Sequence, residues 1–383
     1  MSAFDGVVEQ GFGRVADAFA DALDASAGGG AALSVRVGGR TVIDVWGGRS
    51  VTRPWRRDTA SVIFSCTKGL VAILAAQLVA DGRLSYADPV VAHWPEFAAA
   101  GKEGTTVGDL LSHRAGLLAT DAAWTRDDLT DWSRATALLS QQAPLWEPGS
   151  AHAYHPITHG WLAGEVIRRI AGRSVGEVFA TRIAEPLRAS AWIGLPDDAA
   201  LDVAEMHIGD TLRAATEMLL ATEQDGGSGW PARAMTLGGA LPPALVGPDD
   251  GFNDPAVRRA AIPGAGGIAT ASALAAIWSA TVVDTDGVRL LEDDALEQAL
   301  RVRSAGAPFF PAPEPWPRWG MGFQLDSEAR RYLTPRGFGH DGAGGQVAFA
   351  DPELGVGFAF LTSVMEAGDS RGTAIVDALR EAL

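Results

Sequence analysis

Ser65-Cys66-Thr67-Lys68 sets an amine three residues after a hydroxyl, and Lys68 and Lys102 are the two lysines among 31 lysines and arginines. Arginine does not give up its proton in a protein, whereas a lysine drawn out of water can, so only lysine can act as a base here. Residues three apart share a helix face, so Lys68 Nζ can fold back onto Ser65 Oγ. The chemistry implied is covalent: an activated serine attacks an acyl carbon and holds the acyl group as an ester. Tyrosine is nearly as scarce, at Tyr86, Tyr154 and Tyr332. Tyr154 stands in Ala151-His152-Ala153-Tyr154-His155-Pro156, just before a predicted helix that Pro156 is well placed to open, and a phenol there can reach a cleft. Tyr86 and Tyr332 read as amphipathic core residues. Gly337-Phe338-Gly339-His340-Asp341-Gly342-Ala343-Gly344-Gly345 enters a strand at Gln346. Its glycines allow close backbone approach to a substrate, and its N–H groups can complete an oxyanion hole.

These residues need elements to hold them. Ser65 to Asp81 is apolar nearly all round, as a buried helix is, and Gly82 is a good stop. Residues 31–37 and 41–46 are β-rich and joined by Gly38-Gly39, which predicts a hairpin. The C-terminal end repeats this pattern, with 346–350 and 355–361 flanking Asp351-Pro352-Glu353-Leu354, and an amphipathic helix at 370–382 follows. Helical periodicity lies near 106–113, 132–141, 157–171, 209–223, 269–282 and 291–302. Gly/Pro-rich stretches at 225–252 and 305–318 are expected as long surface loops of the kind that border binding sites. The expected fold is α/β: one antiparallel sheet built from N- and C-terminal segments and flanked by helices, plus an inserted, mainly helical subdomain. Residues 1–80 and 260–383 would form the α/β subdomain and 81–259 the helical one, with the active site at their interface.

The chain has 383 residues, 47% of them apolar and 20% charged, which is ample for a large core. A net charge of −16 with no basic block argues against nucleic acid and anionic membranes as partners. The single cysteine, Cys66, rules out an internal disulfide and is expected to be a small buried side chain. The acidic start from Met1 to Gln10 has neither a positive region nor an apolar one, and the longest apolar run, Gly69 to Ala80, is too short for a bilayer. A cytoplasmic protein is expected; a homo-oligomer is left open.

Taken in order, these motifs resemble the class C β-lactamase-like superfamily, and within it the family VIII carboxylesterases. The resemblance is carried by Ser65-Cys66-Thr67-Lys68, Tyr154-His155-Pro156 and His340-Asp341-Gly342. Trp94-Pro95-Glu96-Phe97, the stretch from Leu110 to Gly116, and that from Trp319 to Phe323 support it, so that it covers roughly residues 20 to 380. It implies Ser65 as nucleophile, Lys68 as the neutral amine that takes or relays its proton, and Tyr154 as a proton shuttle. It implies an oxyanion hole from the N–H groups of Ser65 and Ala343, with Gly342 allowing close approach. His340, Asp341, Gly342 and His155 are the expected substrate contacts.

Two departures from the family pattern bear on substrate. Pro156 replaces an amide that binds acylamino groups, and His340 replaces a lysine that holds a substrate carboxylate. Histidine is only weakly cationic at neutral pH, and Asp341 would repel a carboxylate. The expectation is therefore a serine carboxylesterase for small to medium neutral esters, with no metal or organic cofactor. Acyl transfer to an alcohol or amine, amide-forming cyclisation, weak β-lactamase or D-peptidase activity, and a silent acyl-ligand-binding protein are the alternatives. Whether Lys68 or Tyr154 is the base stays open at this point.

Other features carry less. Gly368-Asp369-Ser370-Arg371-Gly372 matches a nucleophile-elbow pattern but has no histidine after it, so a polar strand-to-helix turn is expected. His152, His155 and His159 have a metal-like spacing that Pro156 interrupts, and a pocket wall or helix start is the expected use. Lys102 is expected in a solvated turn. Trp230, Trp316 and Trp319, in or beside the Gly/Pro-rich stretches, could line an acyl or alcohol pocket, although core packing is the commoner use of tryptophan.

Overall fold

Strand-forming sequence from the two ends of the chain meets in one nine-stranded antiparallel sheet. The computed structural model describes residues 4–26, 28–50, 53–199, 201–224 and 229–383. The sheet runs Asp5–Val8, Arg40–Ser50, Gly30–Val37, Val356–Thr362, Gln346–Asp351, Phe338–Gly342, Gln324–Leu325 and Arg318–Trp319, with Arg53–Pro54 added beside Arg40–Ser50. Its seam pairs Val35 with Phe358 and Leu33 with Phe360, so the N-terminal hairpin and the C-terminal meander form one surface.

Side-chain size decides what each face accepts. One face carries Leu33, Val35, Val347, Phe349, Phe358 and Phe360, which pack on Val15 and Phe19 of the helix Gly13–Asp24 and on Ile375, Val376 and Leu379 of the helix Arg371–Ala382. The other carries Ala32, Ala348, Ala350 and Ala359, small residues that admit a helix closely. At Gly357 the helix Ala271–Ala280 comes so near that a Cβ would lie 2.3 Å from Ser279 N. The helix Cys66–Ala80 is buried along almost its whole length on this side. Each of its fully buried leucines and isoleucines contributes about 1.5–3 kcal/mol. A short sheet of Ser61–Phe64, Gly267–Ala269 and Ala191–Ile193 delivers the chain into that helix.

The fold is α/β, with mainly helical sequence inserted between the sheet-forming ends. The hairpin, the C-terminal meander and the predicted helices occur, as Val107–Leu111, Trp132–Gln141, Thr158–Ala171, Asp210–Gln224, Ala271–Ala280, Asp293–Ala299 and Arg371–Ala382. The sequence pattern does not mark the helix Gly13–Asp24, because alanine carries part of its apolar stripe. The stretch 225–252 is not simply a loop. Residues 225–228 lie outside the described ones, and the rest holds a helix, Trp230–Thr236, and a small hairpin, Val246–Gly247 with Asp250–Gly251.

Lys102 corrects the sequence reading. It is fully buried, not solvated, and its ammonium donates to Ala99 O at 2.6 Å, Ser140 O at 2.9 Å and Gln142 O at 2.6 Å. It pins the end of the helix Trp132–Gln141 to the turn that precedes Lys102. Among the described residues no helix is long and apolar enough to cross a membrane.

Candidate active site

Ser65 is presented by a strained turn. The strand Ser61–Phe64 ends on Phe64 at φ 42°, a left-handed conformation that costs a bulky residue on the order of 1–3 kcal/mol. Two contacts hold it there. The Thr67 hydroxyl donates to Phe64 O at 2.5 Å while accepting from Gly267 N at 2.9 Å, and the Phe64 ring meets Phe252 edge to face at 5.5 Å. Ser65 thus stands at the helix start, where unpaired N–H groups favour developing negative charge.

Lys68 is fully buried, and its Nζ lies 2.9 Å from Ser65 Oγ, 2.5 Å from Pro156 O and 2.6 Å from Gly264 O. Burial pushes its pKa well below the ordinary lysine value. A neutral amine has two N–H groups and one lone pair. With its two N–H groups on the two carbonyls, which come from separate segments, such an amine would turn its lone pair to the Ser65 hydroxyl. Pro156 therefore acts through its carbonyl, a contribution that residue type alone does not reveal.

The Tyr154 hydroxyl donates to Ser65 Oγ at 2.8 Å. Its ring stacks on Trp319 with centroids 5.4 Å apart and planes 16° apart, and Lys68 Nζ sits 5.0 Å from its centroid. Burial pushes the phenol pKa up, outweighing the opposing effect of the bond to Ser65. Ser65, Lys68 and Tyr154 are thus one hydrogen-bonded group.

Four buried histidines surround it. The ring of His113 lies 4.9 Å from Tyr154, 4.8 Å from His159, 5.7 Å from His155 and 4.7 Å from Trp319, and His340 is 6.0 Å from Tyr154. Burial holds all four neutral, His155 down to about 4 and His159 to about 3. His340 is consequently not the weak cation expected. Its Nδ1 donates to Asp341 O at 2.7 Å. His155 is not a surface for substrate either, being fully buried, with Nδ1 donating to Ala153 O at 2.6 Å and Nε2 accepting from Leu117 N at 3.0 Å. His152 stands apart at the cavity wall, and no group of three His, Cys, Asp or Glu among the described residues is arranged for a metal ion.

Asp341 pairs with Arg330, whose Nε lies 2.9 Å from its Oδ2, so its repulsion of a substrate carboxylate is weaker than its bare charge implies. Gly342 is required by the protein itself, since a Cβ there would come 2.4 Å from Ile63 O. This contact draws the Gly342-Ala343 backbone against the strand that leads into Ser65. Cys66 is buried, and its pKa is raised by that burial, so it is unreactive beside Ser65. Ser370 precedes the C-terminal helix at a strand-to-helix turn, next to the Asp369–Arg371 ion pair.

Tyr154 and Pro156 wall an apolar cavity of about 370 Å³. Residues 306–319 supply much of the rest, with Phe310, Trp316, Trp319 and alternating prolines, and Pro231 and Met235 close it; among the described residues its lining holds no lysine or arginine. Trp316 and Trp319 are thus pocket residues, while Trp230 packs on the small cluster around Trp146. A larger polar hollow of about 510 Å³, beside Asp341 and Gly342, is bordered by charged residues such as Arg330 and Asp369 and not by Ser65, Lys68 or Tyr154. Sequence reasoning missed His113 and Arg330. The scarcity argument that found Lys68 and Tyr154 extends to histidine, with seven in the chain, but does not by itself separate His113 from the others.

The Beta-lactamase family model matches residues 15–381. Esterase/beta-lactamase LipL of Mycobacterium tuberculosis (strain ATCC 25618 / H37Rv) is 33% identical over 370 residues, covering 93% of this chain and 82% of that protein. The crystal structure of a family VIII carboxylesterase superposes with a TM-score of 0.85 at 31% identity, covering 99% of this chain and 100% of the other. A penicillin-binding protein homologue from Caulobacter crescentus gives a TM-score of 0.85 at 34% identity, with coverage of 99% and 100%.

Proposed function

The chain belongs to the Beta-lactamase family and is a serine hydrolase, and on that premise we propose that it hydrolyses small to medium neutral carboxylic esters through an acyl-enzyme on Ser65. The observation that carries this reading is the placement of Lys68 Nζ within hydrogen-bond reach of Pro156 O, Gly264 O and Ser65 Oγ, which supports a neutral amine whose N–H groups go to the carbonyls and whose lone pair goes to Ser65. The apolar cavity beside Tyr154, without a cation for a carboxylate, supports neutral substrates.

Ser65 Oγ attacks the ester carbonyl while its proton passes to Lys68 Nζ, and the N–H groups of Ser65 and Ala343 receive the oxyanion. As the C–O bond breaks, Tyr154 gives its proton to the departing alkoxide. Its phenolate then stands beside the Lys68 ammonium, which stabilises it. Water next attacks the acyl carbon and gives a proton to Tyr154, and Lys68 returns the first proton to Ser65. Lys68 is the base of acylation, because burial keeps Tyr154 protonated in the resting enzyme.

The test is hydrolysis of p-nitrophenyl esters from acetyl to octanoyl, with a serine-directed phosphonate and peptide mapping. The expected result is labelling at Ser65 and loss of turnover in Ser65→Ala. Labelling elsewhere, or undiminished turnover in that variant, ends the reading.

A further inference from the structure

We propose that His113 is a positioning residue that aims the Tyr154 hydroxyl at Ser65, by holding the backbone on both sides of Tyr154. The N–H of Ala153 donates to His113 O at 3.1 Å, and the N–H of His155 donates to His113 Nδ1 at 3.2 Å. The residues before and after Tyr154 are therefore tied to one residue, once through its main chain and once through its ring. That ring also meets the Tyr154 ring edge-on, at 4.9 Å and 60°. The neighbouring Ser112 extends the hold: its carbonyl accepts from Ser304 Oγ at 2.7 Å, and Ser304 pairs through its backbone with Trp319, the residue stacked on Tyr154.

The backbone is arranged for this purpose. His113 is fully buried at φ 63°, a conformation unfavourable for most side chains and tolerated by glycine and asparagine. Because Nδ1 must accept, the ring has to be neutral with its hydrogen on Nε2, and burial among His155, His159 and His340 keeps it so. A protonated ring would turn a donor toward the His155 N–H and break the hold.

The proposal rests on Tyr154 as the proton donor, and its test separates the two. His113→Gly suits the φ angle but removes the acceptor, whereas His113→Asn suits the angle and can restore an acceptor through Oδ1. On p-nitrophenyl acetate, His113→Gly is expected to lose about 100-fold in kcat with little change in KM, and His113→Asn to recover most of it. In a Tyr154→Phe background, His113→Gly should cost less than about threefold more. An equal loss in both backgrounds overturns the proposal, as does a folded His113→Asn no better than His113→Gly; if the glycine variant does not fold, a more than tenfold loss in folded His113→Asn does the same. A second readout needs no turnover. Because the bond to Ser65 opposes the upward push of burial, ultraviolet titration against Tyr154→Phe should show Tyr154 ionising at higher pH in His113→Gly, or in His113→Ala, than in the native chain and in His113→Asn. An unmoved or lowered titration rejects the positioning role even if the ester reading fails, and a raised one sustains it.

Discussion

A phenol that burial keeps protonated is an acid before it is a base, and this makes the leaving group diagnostic. Alkyl esters need the Tyr154 proton, whereas p-nitrophenolate departs without one. Tyr154→Phe should therefore slow acylation by ethyl esters about 10²–10⁴-fold while leaving a rapid, stoichiometric burst with p-nitrophenyl acetate, followed by slow turnover. Stopped-flow release of p-nitrophenol checks this. Lys68 makes a second prediction. The unfolded chain binds its proton up to about pH 10.4, and the folded chain releases it earlier. Between those two values the unfolded state carries more protons, so folding stability rises with pH; below the lowered value the cost of burying the charge is fully present. Lys68→Met should remove that slope, read as the difference in urea midpoints from pH 7 to 10. The reactive residues were legible because the chain uses lysine and tyrosine so sparingly. Their carbonyl partners were not, since every residue type offers the same carbonyl and only the fold selects Pro156 and Gly264.

At the scale of elements, two buried ionic groups fasten the helices around the site. Lys102 satisfies three carbonyls, and Lys102→Met should destabilise by about 3 kcal/mol in urea unfolding with kcat and KM unchanged. Glu165, on the helix Thr158–Ala171, accepts from Trp132 Nε1 at 2.6 Å and from Arg168 and Arg169. Desolvation raises its pKa, but these hydrogen bonds outweigh it and the net shift is downward. Its contribution to stability is thus present above the ordinary glutamate value and lost as the pH falls through its lowered one. Long periodic helices and the terminal hairpins could be read from the sequence. Lys102 could not: Gly101-Lys102-Glu103-Gly104 has the composition of a solvated turn, and two of its three carbonyl partners lie far along the chain, at Ser140 and Gln142.

For the whole molecule, the sequence marked residues 305–318 as a loop, and folding makes them a proline-stiffened wall of the apolar cavity. Trp316→Ala should enlarge that cavity and raise the octanoyl-to-acetyl ratio of kcat/KM by about tenfold, measured on the p-nitrophenyl series. The antiparallel sheet from both termini was legible because both ends carry the same strand-turn-strand grammar. Its order was not, because nothing local says that Val356–Thr362 lies beside Gly30–Val37. That adjacency governs how the protein is made. A ribosome delivers Gly30–Val37 hundreds of residues before its partner, and until Val356–Thr362 emerges this strand has an apolar open edge able to recruit other chains. The nucleophile helix is also synthesised early, but the strand bearing His340 and Ala343 is anchored only when the last hairpin closes the seam. A nascent chain therefore carries its serine for most of its synthesis without a working site, and premature termination leaves a fragment prone to aggregate instead of a less active enzyme.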